Sequence, residues 1–74
     1  MHLHYFPNSY WSRIIALLLS EKGISFERHF VDIRKNASFD PEYLSLNPRG
    51  VVPTLVDGEQ TICDSLRIAA HLDE

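Results

Sequence analysis

Cysteine is almost absent from this sequence: Cys63 stands alone, which excludes an internal disulfide and suits a reducing compartment. Long apolar runs are missing too, so no stretch approaches the length needed to span a membrane as a helix. The opening Met1-His2-Leu3 lacks the basic and apolar regions of a secretion signal, and a cytoplasmic location is the expectation. No block of one charge sign occurs. The net charge of −3 comes from 10 acids scattered among 7 Lys and Arg, a balance that gives no nucleic-acid footprint. Repeats, low-complexity tracts and linkers are likewise absent. What is present is one domain over residues 1–74, near the lower size at which a core holds without disulfides or metal.

The periodicity is that of an α/β protein. His2-Leu3-His4-Tyr5-Phe6 alternates as a strand and Pro7-Asn8 stops it. Ser9 is placed to cap a helix from about Tyr10 to Lys22, with Gly23 just past its end. Ile14, Ile15, Ala16, Leu17, Leu18 and Leu19 are consecutive, so this helix is apolar on more than one face and calls for a second packing partner, a further domain or another chain. The spacing predicts an exposed apolar patch around Leu17, Leu18 and Leu19. Ser25 to Ile33 reads as a second strand, parallel to the first through a right-handed crossover, and Arg34 to Ser38 as a polar loop. Asp40-Pro41-Glu42 starts a short helix that Asn47-Pro48 ends. Thr54-Leu55-Val56 and Gln60-Thr61-Ile62 flank an Asp57-Gly58 hairpin. Leu66, Ala69, Ala70 and Leu72 give a last helix its apolar face. The order is βαβαββα, a mixed four-stranded sheet with three helices.

Two segments carry chemistry. In Asn47-Pro48-Arg49-Gly50-Val51-Val52-Pro53-Thr54-Leu55, the residue before Pro53 is pushed toward an extended conformation, leaving the Val52 N–H and C=O as an edge for an outside partner. At Asp64-Ser65 a helix start offers N–H groups and a hydroxyl to a carboxylate, while Asp64 can hold an ammonium beside it. Together they suit the α-amino-acid end of a small acidic peptide. His2 and His4 share a strand face at a spacing that can bind metal, but two ligands lack a third, and no metal is assigned. Cys63 has no Cys-x-x-Cys partner and reads as a buried inert thiol. Tyr10 and Trp11 read as packing residues that could also flank an apolar co-substrate.

Asn-Pro-x-Gly-x-Val-Pro-x-Leu, the Asp-Gly hairpin, Asp64-Ser65 and the closing His71-Leu72-Asp73-Glu74 resemble, in order and spacing, the glutathione-binding half of the cytosolic glutathione transferases, a thioredoxin-like fold. The likeness covers essentially the whole chain, and the Ser9-x-x-Ser12-Arg13 run is most similar to the serine-type classes (theta, delta, zeta and bacterial relatives). It implies that Val52 pairs with the cysteinyl unit of glutathione, that Pro53 is cis, and that Asp64 and Ser65 hold the γ-glutamyl amine and carboxylate. Ser9 would activate the thiol, with Tyr5 as the alternative from tyrosine-type relatives, and Arg13 and Arg49 would be further ligand contacts. The resemblance implies glutathione as co-substrate, an electrophilic second substrate, dimerisation, and a helical C-terminal domain that the 74 residues do not contain. The reaction expected is conjugation, dehalogenation or ether cleavage. The alternative is a non-catalytic binding or interaction module on the same fold.

Overall fold

The computed structural model describes residues 1–73, so Glu74, the last residue of the closing motif, lies outside the described residues. Its elements are β1 (His2–Tyr5), α1 (Tyr10–Glu21), β2 (Glu27–Phe30), α2 (Pro41–Leu46), β3 (Thr54–Asp57), β4 (Gln60–Ile62) and α3 (Ser65–Leu72). They form one sheet in the order β2-β1-β3-β4. β1 and β2 are parallel, with Leu3 opposite Arg28; β3 runs antiparallel to β1, with Leu3 opposite Leu55, and to β4, with Leu55 opposite Ile62. This is the mixed βαβαββα sheet that the sequence predicts, and its architecture is thioredoxin-like.

α1 and α3 cover one face of the sheet. Leu3 and Leu55 meet Ile15, Leu19, Ile68 and Leu72 there, all buried. Burial of side chains this size stabilises by about 1.5–3 kcal/mol each. The two helices select their inner residues by the 3.6-residue turn: Ser12, Ile15 and Leu19 on α1, Ile68 and Leu72 on α3. Leu66 and Ala70, which composition alone puts on the apolar face of α3, are exposed, because they lie on the other side of the cylinder from Ile68 and Leu72. On α1 the same geometry splits the predicted Leu17-Leu18-Leu19 patch. Leu19 is fully buried, Leu18 packs against the core, and only Leu17 faces outward, where it joins Tyr10 and Ile14 in a second stripe.

Element ends follow their capping chemistry. Gly23 takes φ +69°, and the Gly23 and Ile24 N–H groups donate to the Ser20 and Leu19 carbonyls at 3.1 Å, a Schellman closure of α1. β2 is shorter than the Ser25–Ile33 strand expected. The Asp32 side chain accepts the Arg34 N–H at 3.0 Å, which turns the chain out of extended geometry. Two 3-10 turns, Ile33–Lys35 and Ala37–Phe39, then stand where an irregular polar loop is expected. The β3–β4 hairpin also differs: Asp57 pairs with Gln60, so the loop is Gly58-Glu59, with Gly58 at φ +61° in the first turn position as a type II′ turn requires.

Candidate functional site

The register decides which segments meet. His4 is opposite Thr54, so the end of β1 lies beside the start of β3, and the Leu55–Ile62 pairing puts the end of β4 there as well. Three connections therefore leave one end of the sheet together: Phe6–Ser9 into α1, Val51–Pro53 into β3, and Cys63-Asp64 into α3.

At the first connection Ser9 is the N-cap of α1, in extended geometry, and its Oγ accepts the Ser12 N–H at 3.4 Å. With that lone pair engaged, its own proton remains available to an outside acceptor. Ser12 is wholly buried, and its Oγ accepts the Phe6 N–H at 3.3 Å, which ties the strand exit to the helix. In the sequence Ser12 stands out only as part of a run; a hydroxyl on the apolar side of the helix is the signal for this role. Tyr5 is half-buried against the core, and Arg13 is exposed; both line a groove of about 610 Å³ with Pro7, Tyr10, Ile14 and Leu17.

The second connection is built on a buried polar network. The Tyr43 hydroxyl donates to the Val51 carbonyl and lies 2.8 Å from the Thr54 hydroxyl, while Asn47 Nδ2 donates to the Val51 carbonyl at 3.0 Å and to Thr54 Oγ1 at 3.2 Å. Burial pushes the Tyr43 hydroxyl pKa up, against the opposing pull of the Thr54 and Asn47 hydrogen bonds, so it stays a proton donor. Asn47 Oδ1 accepts the Arg49 N–H at 3.1 Å, and the Arg49 side chain is exposed. Gly50 sits at φ +64°, and a Cβ there would lie 2.7 Å from the Phe39 ring and 3.1 Å from the Ser38 carbonyl, so a side chain at this turn costs backbone strain and displaces the ring. The Val52-Pro53 bond is cis. The Val52 N–H and C=O enter no backbone hydrogen bond among the described residues, leaving a short open edge. Tyr43 and Thr54 lie 11 positions apart and carry no local motif, so only the fold reveals their pairing.

At the third connection Asp64 is the N-cap of α3, and its Oδ1 accepts the Leu66 N–H at 2.8 Å and the Arg67 N–H at 3.4 Å. This revises the expectation of an open helix start: the cap carboxylate occupies those two donors. The Ser65 N–H and hydroxyl, half-buried, and the second Asp64 oxygen remain for a ligand. Cys63 is half-buried, and its thiol donates to the Leu46 carbonyl at 3.3 Å, which holds β4 to α2. One sheet end thus offers a peptide edge, a carboxylate beside a hydroxyl donor, and a second hydroxyl at a helix start.

Comparison with known proteins agrees with this fold. The family model described as glutathione S-transferase, N-terminal domain, matches residues 8–74. Glutathione S-transferase 1 of Dianthus caryophyllus is 42% identical over 74 residues, covering 100% of this chain and 34% of the relative. The zeta-class glutathione S-transferase of Euphorbia esula is 43% identical over 70 residues, 95% of this chain and 31% of the relative. Maleylacetoacetate isomerase of Methylobacterium extorquens AM1, solved with malonate and glutathione bound, superposes with a TM-score of 0.96 at 31% identity, covering 100% of this chain and 35% of that one. Human glutathione transferase theta-2, in complex with glutathione, gives 0.93 at 30% identity, covering 97% and 30%. The chain thus spans about a third of the length of these relatives. A domain match over nearly all its residues, joined to the fold and the site just described, makes this chain a member of the glutathione S-transferase N-terminal domain family.

Proposed function

We propose that this chain is the glutathione-binding half of a glutathione transferase, activating the tripeptide thiol for attack on an electrophile. The observation that carries the reading is the convergence at one sheet end of the open Val52 edge, the free oxygen of Asp64, the Ser65 hydroxyl and Ser9. In this reading the Val52 N–H and C=O, beside Pro53, pair with the cysteinyl unit. Asp64 takes the γ-glutamyl ammonium, and the Ser65 N–H and hydroxyl take its carboxylate. Arg13 and Arg49, both exposed, serve as further contacts in this reading. A free thiol has a pKa of about 8.5 and is mostly protonated at neutral pH. A hydroxyl donor and the positive end of α1 stabilise the thiolate and lower that value.

Ser9 is favoured over Tyr5 as that donor because it stands at the helix start with its proton uncommitted, whereas Tyr5 packs against the core and lines the groove beside α1. The second substrate is an electrophile, with conjugation, dehalogenation or ether cleavage as the reaction. The likeness to a maleylacetoacetate isomerase adds isomerisation to these reaction classes. The stripe of exposed Tyr10 and Leu17 with half-buried Ile14 is where a helical second domain, or a partner chain in a homodimer, packs. A single unpaired cysteine suits a cytoplasmic location, and detoxification is the role we assign to the reaction.

Calorimetric titration with glutathione tests the site. Ser65→Ala is expected to weaken binding by about 1–3 kcal/mol, since a hydroxyl bonded to a charged carboxylate is lost, and Asp64→Asn comparably. Unchanged affinity in both variants removes the amino-acid end of the site.

A further inference from the structure

The face of the sheet opposite α1 and α3 carries a group of side chains that the ligand site does not use. Leu3 points into the core, so alternation along β1 sends His2 and His4 to the other face, where His4 lies 6.0 Å from the Tyr43 ring. The parallel register puts Glu27 beside His2 and His29 beside His4. The ring atom His2 Nδ1 lies 2.9 Å from His29 Nε2 and 3.1 Å from Glu27 Oε2, and His29 Nε2 is 4.0 Å from the same carboxylate oxygen. All three ligand atoms fall within 4.8 Å of one another.

A tetrahedral ion about 2.0–2.1 Å from each ligand sets neighbouring ligand atoms about 3.3 Å apart. The three observed separations bracket that value. Small side-chain rotations bring them to it, and the remaining coordination position faces solvent, since the three side chains are 41–73% exposed. Protons satisfy this group poorly. His2 Nδ1 has one site for a proton or a lone pair, yet two polar neighbours crowd it: with a lone pair there it meets the Glu27 carboxylate without a proton between them, and with a proton there the one N–H is shared between His29 and Glu27. A cation serves all three lone pairs at once. His4 stacks on the His29 ring at 4.5 Å and 16°, which restrains the rotation of that imidazole.

We propose that His2, Glu27 and His29 form a binding site for a divalent late transition-metal ion, zinc, copper or nickel, on the sheet face opposite α1 and α3. Imidazole nitrogens favour these ions over magnesium or calcium, and two histidines with one carboxylate form a three-ligand set that leaves a position open. Of the His2 and His4 pair that the sequence singles out, only His2 is a ligand; the other two, Glu27 and His29, come from the neighbouring strand. The site rests on the β1–β2 pairing alone and is independent of glutathione binding.

The test uses the tag-free full chain, freed of metal with chelator, in buffer without glutathione. Calorimetric titration with zinc chloride is expected to show one site per chain. Cobalt(II), as a coloured probe, is expected to develop visible absorption that zinc then displaces. His29→Ala and Glu27→Gln are each expected to weaken zinc binding at least about ten-fold, while His71→Ala, on α3, leaves it unchanged. Glu27 is exposed, so its Gln variant provides the test on a folded chain, verified by circular dichroism. Unchanged zinc affinity in Glu27→Gln, or absence of any binding by the parent chain, overturns the proposal. So does binding that survives His29→Ala and disappears only when His2 and His4 are both replaced, since that chelate would belong to β1 alone.

Discussion

Ser9 shows how completely a cap residue can be committed on one side and open on the other. Its Oγ accepts the Ser12 N–H, and the proton it carries points to no partner among the described residues. In the chain joined to a helical partner domain, Ser9→Ala is expected to raise the pKa of the bound glutathione thiol by on the order of one unit, while Tyr5→Phe changes it little. Ultraviolet titration of the bound thiolate reads both variants. Loss of the thiolate signal in Tyr5→Phe with Ser9→Ala unaffected would assign the role to Tyr5. At this scale, caps are the legible part of the sequence. Ser9 and the glycine after α1 announce themselves through neighbours two or three positions away, whereas the capping role of Asp64 is not anticipated, since the same carboxylate reads equally as a ligand group. Ser12 and Thr54 do not, because a buried hydroxyl is explained only by the backbone or side chain the fold brings to it.

Among the elements, the β1–β2 pair carries a titration consequence of its own. Burial above all, then the nearby His29 and His2, hold the His4 pKa below its ordinary 6.5. The folded state therefore keeps His4 neutral where the unfolded chain already binds a proton. The stability this contributes is whole above pH 6.5 and is lost as pH falls from there toward the lowered folded-state value. Urea unfolding in the presence of chelator, from pH 8 down to 5, is expected to show that decline, with a shallower one in His4→Gln. An equal slope in both chains would reject the assignment. Alternation makes the shared face of His2 and His4 readable, but not the strand next to it, since register is settled by long-range pairing. The inner face of α3 escapes the sequence for a related reason: eight residues hold two turns, and Ile68 and Leu72 outrank a Leu in the first turn only once α3 is docked on β3.

For the molecule as a whole, the unbalanced feature is α1. Tyr10 is 70% exposed, Leu17 61% and Trp11 46%, along a helix whose opposite side is buried in the core. The run from Ile14 to Leu19 discloses the surplus of apolar surface; its placement needs the helix phase, which retires Leu18 and Leu19 to the inside. The isolated chain is expected to self-associate through this stripe, and Leu17→Lys to raise the monomer fraction at equal concentration. Sedimentation velocity across a concentration series measures it. A parent chain that stays monomeric at high concentration would contradict the expectation.

The buried network around Thr54 joins two parts of the chain usually considered apart. Tyr43 and Asn47, one inside α2 and one at its end, both bond the Val51 carbonyl, next to the open peptide edge. The six-residue helix and that edge are therefore one thermodynamic object, and coupling between them is reciprocal. A ligand that fixes the edge must also quiet the helix, and a helix loosened by substitution must weaken the ligand by the same factor. Slower amide exchange across residues 41–46 when glutathione binds is the observable form of that coupling, and unchanged exchange there would show the two to be mechanically separate.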